Sequence, residues 1–301
     1  MTIAFVPGSS RNADLMQRAV KGRSLWDDAR RRLFRNRAAV TAMIVLGLLL
    51  LAAVVGPFLT PYTYDQINKT DVWQPPLTGA HLLGTDSLGR DLLARLFTGL
   101  GVSLAIGAVA TTVSLVIGVA WGATAGYLGG VVDEVMMRIV DVLYSLPYIF
   151  FVILLMVVFG SNFILLFIAI GAVEWLTMAR IVRGQTLSLK QKEFIEAARA
   201  AGLTRFAIIL RHIVPNLLGP VVVYVTLTIP GVILAESFLS FLGLGIQPPM
   251  ASLGTLINNG AQDMELAPWL LIFPSMTMVA TLMCFNFIGD GLRDALDPKD
   301  R

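Results

Sequence analysis

Long apolar runs, separated by short polar intervals rich in glycine and proline, dominate the chain. A helix needs about 20 mostly apolar residues to cross a bilayer. Six stretches fit that description: 38–59, 102–127, 139–159, 162–179, 213–240 and 268–289. The first, second and last hold no charged residue, whereas the fourth contains Glu174. The fifth contains Pro215, Pro220 and Pro230, which predicts a bent or broken helix. The first run, at 22 residues, is longer than the core of a signal peptide, about 7–15 residues, and reads as a retained anchor. The pattern predicts an all-α polytopic membrane protein with six transmembrane helices. Its expected organisation is a basic arm (1–37), a first span (38–59), an outer loop with an interfacial helix (60–98), a five-helix core (99–289) and a short tail (290–301).

Composition agrees: the 301 residues are 56% hydrophobic and 14% charged, against roughly 25% charged in soluble chains. The charges matter through their placement. With the N-terminus inside, the arm holds nine basic residues: Arg11, Arg18, Lys21, Arg23, Arg30, Arg31, Arg32, Arg35 and Arg37. The 180–212 loop holds seven: Arg180, Arg183, Lys190, Lys192, Arg199, Arg205 and Arg211. Arg138, Arg293, Lys299 and Arg301 join them, leaving Lys69, Arg90 and Arg95 outside. Positive residues concentrate on the cytoplasmic side of membrane proteins, so both termini are expected there. In the arm, Ser24 followed by Asp27 has the spacing of a helix cap. Leu25, Trp26, Leu33 and Phe34 interleaved with arginines fit a basic amphipathic helix on the inner leaflet; a solvated basic arm is the alternative. So near a membrane anchor, no nucleic-acid partner is expected.

The sequence contains no GxxxxGK[ST] loop, HExxH or GxSxG, and its only histidines are His81 and His212. The lone Cys284 sits in an apolar run without metal-ligand spacing. No catalytic residue and no metal site is therefore expected on this chain.

The informative polar stretch is 190–215. Phe194, Ala197, Ala198 and Ala201 fall on one helical face, with Lys192, Glu193, Glu196 and Arg199 off it. Gly202 suits a left-handed helix end, and Thr204 is placed to cap a following helix. The result is helix, tight turn, helix, with small residues that admit a partner's groove. An ordinary cytoplasmic hairpin and a DNA-binding helix-turn-helix share this outline; spans on both sides argue against the second.

Glu196-Ala197-Ala198-x3-Gly202, with Pro215 thirteen residues after the glycine, resembles the EAA loop of bacterial ABC importer permeases. Further blocks resemble the oligopeptide/dipeptide/nickel branch of that family: Gly84-Thr85-Asp86 with Gly89-Arg90-Asp91, Gly126-Tyr127 with Gly129-Gly130, Phe241 to Pro248, and Gly289-Asp290-Gly291. The chain departs from the EAA-loop pattern at His212–Val214, and from the branch at Gly101 and Leu253. The resemblance implies a type I importer permease with a cytoplasmic coupling helix in 190–212. It implies transport of peptides, with dipeptide, nickel and glutathione siblings as alternatives, in the bacterial inner membrane. The implied partners are a homologous permease, two ATPase subunits and a periplasmic or lipid-anchored peptide-binding protein. ATP and magnesium would be bound by the ATPases, with no cofactor on this chain.

The remaining charges have separate readings. Asp91 and Arg95 form an i, i+4 pair on an interfacial helix that Asp86 or Ser87 is placed to start; substrate contact is the alternative. Glu134, Arg138 and Asp141 lie at i, i+4 and i+7 and are expected to pair along one face. Glu236 has no basic residue within a turn, and an acidic residue at depth marks a pathway or a subunit interface by default; a hydrated position near the surface is the alternative. Glu174 is a second such candidate, with Arg180 nearby. An ion-coupled secondary transporter would need several deep acidic residues, and only Glu236 has that character. A receptor or scaffold without transport is the remaining alternative.

Overall fold

A computed structural model describes residues 25–159 and 163–296. Ser24, the arm residues Arg11, Arg18, Lys21 and Arg23, and the tail residues Lys299 and Arg301 lie outside the described residues. All named elements are helices: α1 (Leu25–Arg35), α2 (Arg37–Leu59), α3 (Leu92–Leu128), α4 (Gly130–Ser145), α5 (Tyr148–Phe159), α6 (Phe163–Leu189), α7 (Glu193–Ala200), α8 (Arg205–Ile208), α9 (Val214–Phe241), α10 (Leu253–Gln262) and α11 (Trp269–Leu296).

Among the described residues, four uninterrupted helical segments are long and apolar enough to cross a membrane: α2, α3, Arg205–Phe241 and α11. A fifth arises if α4 and α5, bent by 86° at their junction, count as one span. The bend has a local cause. Leu146 precedes Pro147 and is extended, with ψ 132°, because the proline ring disfavours helical backbone in the residue before it. The 27-residue α6 carries Glu174, Arg180 and Arg183, with both arginines beyond the apolar stretch 163–179. The architecture is thus compatible with six crossings, the third bent and the fourth charged.

The proline-rich fifth stretch is not broken. α9 runs unbroken from Val214 to Phe241 through Pro220 and Pro230. The distortion lies upstream, in a wide π turn over Ile209–Ile213. Pro215 then falls in the first turn of α9, where a missing N–H costs nothing. Asn216 Nδ2 donates to the His212 carbonyl at 2.6 Å, serving an acceptor in the wide turn.

α3 and α6 share the most extensive helix–helix contact among the described residues. Gly118, Gly122 and Gly126 make a stripe at four-residue spacing along α3. A Cβ at Gly118 would overlap Met178, one at Gly122 would overlap the Ala179 carbonyl, and one at Gly126 would lie 2.9 Å from the Arg183 carbonyl. Small residues at this spacing let helix backbones approach within a membrane, where lipid supplies no hydrophobic drive for association. A central core of Val102, Ile106, Ala110, Val152, Met156, Ile170, Val232 and Leu239 joins α3, α5, α6 and α9. α2 packs on α3 and α11 yet exposes Ile44, Leu48, Leu51, Val54 and Phe58, an apolar surface suited to lipid. α1 packs against α11, with Leu33 beside Gly291.

The outer-loop expectation needs correction. No separate interfacial helix starts at Asp86 or Ser87; the first helix after the loop is α3, which begins at Leu92 with Asp91 as its cap. The tail boundary also moves, because α11 continues through Asp290 to Leu296.

Candidate functional site

α3 is 37 residues long, about 55 Å at helical rise. α9 runs antiparallel beside it, so the start of α9 meets the end of α3. At that end sits the hairpin predicted over 190–212.

The hairpin's turn is built from backbone rules. Ala201 caps α7, and Gly202 follows with φ +79°. Gly202 N donates to Arg199 O at 2.9 Å, and Leu203 N donates to Ala198 O at 3.2 Å. This is the paired-bond helix end that needs a left-handed residue after the cap, hence glycine. Thr204 then accepts from Ala207 N at 3.3 Å and starts α8. Both roles assigned from sequence are found.

The faces of α7 differ from expectation. Ile195 (0% exposed) and Ala198 (6%) point into the bundle. They join Ala123 and Tyr127 of α3, Met178 and Val182 of α6, and Ile208, Ile209, Ile213, Leu217 and Val221. Phe194, Glu196, Ala197 and Ala201 face outward. Ala198 therefore belongs to the anchor, not to the outward face shared by Phe194, Ala197 and Ala201. Ile195, overlooked in the sequence, is the anchor's main side chain, and Pro215 is exposed at the start of α9.

Tyr127 is the second residue missed. It ends α3 under the hairpin, 5% exposed. The Arg199 guanidinium lies 5.3 Å from its ring centre and Lys190 Nζ lies 5.8 Å away. Arg199 Nε also donates to its hydroxyl at 3.4 Å. One ring thus holds both ends of the hairpin's first half through cation–π attraction.

Ion pairs fasten α4 to α6, with partners other than those expected. Asp133 accepts from Arg183 Nε and Nη2 at 2.6 and 2.7 Å. Asp141 accepts from Arg180 Nη2 at 2.8 Å, and Arg180 also lies 4.1 Å from the Tyr144 ring centre. Glu134 and Arg138 form no ion pair among the described residues. The expected i, i+4, i+7 pairing fails because facing arginines on α6 reach Asp133 and Asp141 directly.

At the opposite end of α3, Asp91 and Arg95 do not pair through their side chains. Asp91 Oδ2 accepts from Ala94 N at 2.8 Å as a helix cap, and Oδ1 lies 2.9 Å from His81 Nδ1. Arg95 Nε instead faces Asp86 Oδ2 at 3.7 Å, an oxygen that Arg90 Nε reaches at 2.8 Å. Capping uses the Asp91 carboxylate locally and takes it from the i, i+4 partner.

Glu236 is fully buried within this chain. Its Oε1 accepts from Ser240 at 2.6 Å and Ser252 at 2.7 Å, while Oε2 has no partner among the described residues. It ties α9 to the cap of α10, so in this conformation it lines neither an open path nor an exposed subunit face. Glu174 is half-buried in α6 and makes no ion pair among the described residues. No cluster of three metal-ligating side chains occurs among the described residues.

Among the described residues, an apolar helical bundle anchors one exposed, two-sided helix at the end of α3. Residues 114–301 match the model of the binding-protein-dependent transport system inner membrane component, and residues 24–76 match the N-terminal TM domain of oligopeptide transport permease C. The chain belongs to this family of ABC-transporter permeases. It is 53% identical to the oligopeptide transport system permease protein OppC of Haemophilus influenzae over 98% of both chains. It is 55% identical to OppC of Escherichia coli K12 over 94% of both. The dipeptide transport system permease protein DppC of Bacillus subtilis is 44% identical over 97% of this chain and 91% of its own.

Proposed function

We propose that this chain is one permease subunit of an ATP-driven importer and forms, with a second homologous permease, the path by which oligopeptides cross the inner membrane. The observation that carries the reading is the division of α7. Ile195 and Ala198 are locked into the bundle, and Phe194, Glu196, Ala197 and Ala201 are turned outward. A helix so divided transmits motion: whatever seats the outer face displaces α3, α6 and α9 through the inner one. The outer face suits a helix-in-groove seat on an ATPase subunit.

In this reading two ATPase subunits bind ATP and magnesium, and their closure shifts the hairpin as a rigid lever. No bond is made or broken on this chain; the work is differential stabilisation of inward-open and outward-open states. A secreted or lipid-anchored binding protein delivers the peptide at the end away from the hairpin. Both termini are cytoplasmic, and α1 presents its arginines to the inner leaflet.

The substrate class follows the names of the OppC relatives. The DppC likeness favours a second reading, dipeptide import. Uptake into proteoliposomes holding the assembled complex separates the two. ATP-dependent uptake of tetra- and pentapeptides supports the first, and uptake of dipeptides alone supports the second. Uptake that persists without the ATPases contradicts both.

A further inference from the structure

Away from the hairpin, a recess of about 160 Å³ opens between the start of α3, the end of α9, the 243–250 loop and α10. Arg90 and Arg95 form one wall; Gln247, Thr255, Asn258 and Asn259 contribute to the rest. The two arginines are 9% and 3% exposed. Both are held by a single carboxylate, Asp86, so the wall carries surplus positive charge. The other nearby acids are committed elsewhere: Asp91 to Ala94 N and His81, and Glu236 to Ser240 and Ser252. Neither acid lines the recess.

Part of the donor capacity of this wall is unspent. Arg90 employs Nε on Asp86, and its two terminal amino groups donate to no group among the described residues. Arg95 spends Nη1 on Tyr64 O at 3.3 Å. Gln247 Nε2 is tied to Gly243 O and Gly245 O at 3.1 and 3.0 Å, which holds that side chain in place. Two pinned guanidinium groups in a partly enclosed polar recess have the geometry that recognises a planar anion by paired hydrogen bonds. The volume admits a carboxylate and the residue that bears it, and little more.

We propose that this recess is a subsite for the terminal carboxylate of the transported peptide, with Arg90 as the principal donor. The assignment rests on the proposed oligopeptide import. Asp86 holds Arg90 and Arg95 in register, and Asn259 stands exposed at the rim.

The test uses the whole complex, with its ATPases and binding protein, in proteoliposomes. Uptake is compared for one peptide with a free terminal carboxylate and the same peptide as its amide. Because the binding protein is the same throughout, a change in the acid-to-amide ratio of kcat/KM between variants belongs to this chain. Arg90→Gln is expected to lower that ratio by about tenfold, the worth of one charge-assisted hydrogen bond, and Arg90→Lys to restore part of it. Asn259→Asp, which places a carboxylate at the rim without removing a counter-charge from the cluster, is expected to lower the ratio as well. An unchanged ratio in both Arg90→Gln and Asn259→Asp, with uptake intact, overturns the proposal. So does equal loss for acid and amide, including the case where the second permease dissociates, which would mark a subunit contact. If the unaltered complex imports neither peptide, it is the oligopeptide reading that fails.

Discussion

The two ends of α3 are held by opposite kinds of chemistry. At its C-terminal end the hairpin is seated by apolar side chains, with Ile195 and Ala198 among Met178, Val182, Ile208 and Ile213. The polar contact to the hairpin centres on one ring, Tyr127, between Lys190 and Arg199. At its N-terminal end buried polar and ionisable groups dominate: Asp86 between Arg90 and Arg95, Asp91 between a helix cap and His81, Glu236 between two serines. Apolar burial is non-directional and scales with area, so a segment held that way can shift as a body and keep most of its contacts. Charge-assisted hydrogen bonds fix distance and angle, so a segment held that way is placed rather than moved. The comparison assigns the moving part to the hairpin end and the fixed part to the far end.

Substitutions that break one end should behave unlike those that break the other. The largest effect is expected at the fixed end. Asp86→Ala leaves two buried guanidinium groups without their carboxylate and strips Leu88 N and Arg90 N of an acceptor. Removing one partner of a buried pair costs about 3–5 kcal/mol, and the protein is expected to accumulate poorly in the membrane, read by immunoblot. Ile195→Ala comes next. Truncating a fully buried isoleucine costs about 2–5 kcal/mol, here concentrated in the hairpin. Membrane insertion should persist, uptake should fall steeply, and limited proteolysis should cut within 190–205. Normal protease resistance would count against the anchor.

Gly202→Val forces a β-branched residue to φ +79°, worth at least about 1–2 kcal/mol. The space around Gly202 is open, with nothing within 4 Å of a Cβ, so the effect is conformational alone. Uptake is expected to be lost while insertion is retained, and Gly202→Asn is expected to recover part of it. Thr204→Ala removes a cap worth about 1 kcal/mol and should lower uptake partially. The smallest effect belongs to Asp141→Asn. Its pair with Arg180 is solvent-exposed, 38% and 53% for the two side chains, and exposed pairs contribute about 0–1 kcal/mol. Uptake and thermal stability should remain near those of the unaltered protein.

What could be read from sequence divides along a related line. Features decided within a few residues were legible: the apolar spans, the left-handed Gly202, the cap at Thr204. Features that depend on distant elements were not. Asp133 meets Arg183 fifty residues away, and Ser252 meets Glu236 across a loop. The Asp91–Arg95 spacing was locally correct, yet the same carboxylate had a closer use as the cap of α3. In α7 the sequence offers two small apolar faces, Ile195 with Ala198 and Phe194 with Ala197 and Ala201. Only packing against α3 and α6 decides which turns inward.

The central claim is that the outer face of α7 touches an ATPase subunit. The direct measurement is site-specific crosslinking in the assembled complex with a cysteine at Ala197, the native Cys284 being buried in the bundle. The account predicts a covalent adduct with an ATPase subunit whose yield changes when ATP is bound. It predicts no such adduct from a cysteine at Ala198, which faces the bundle. An Ala197 cysteine that reaches no ATPase, or that reacts with a reagent confined to the outer side of the membrane, would contradict it.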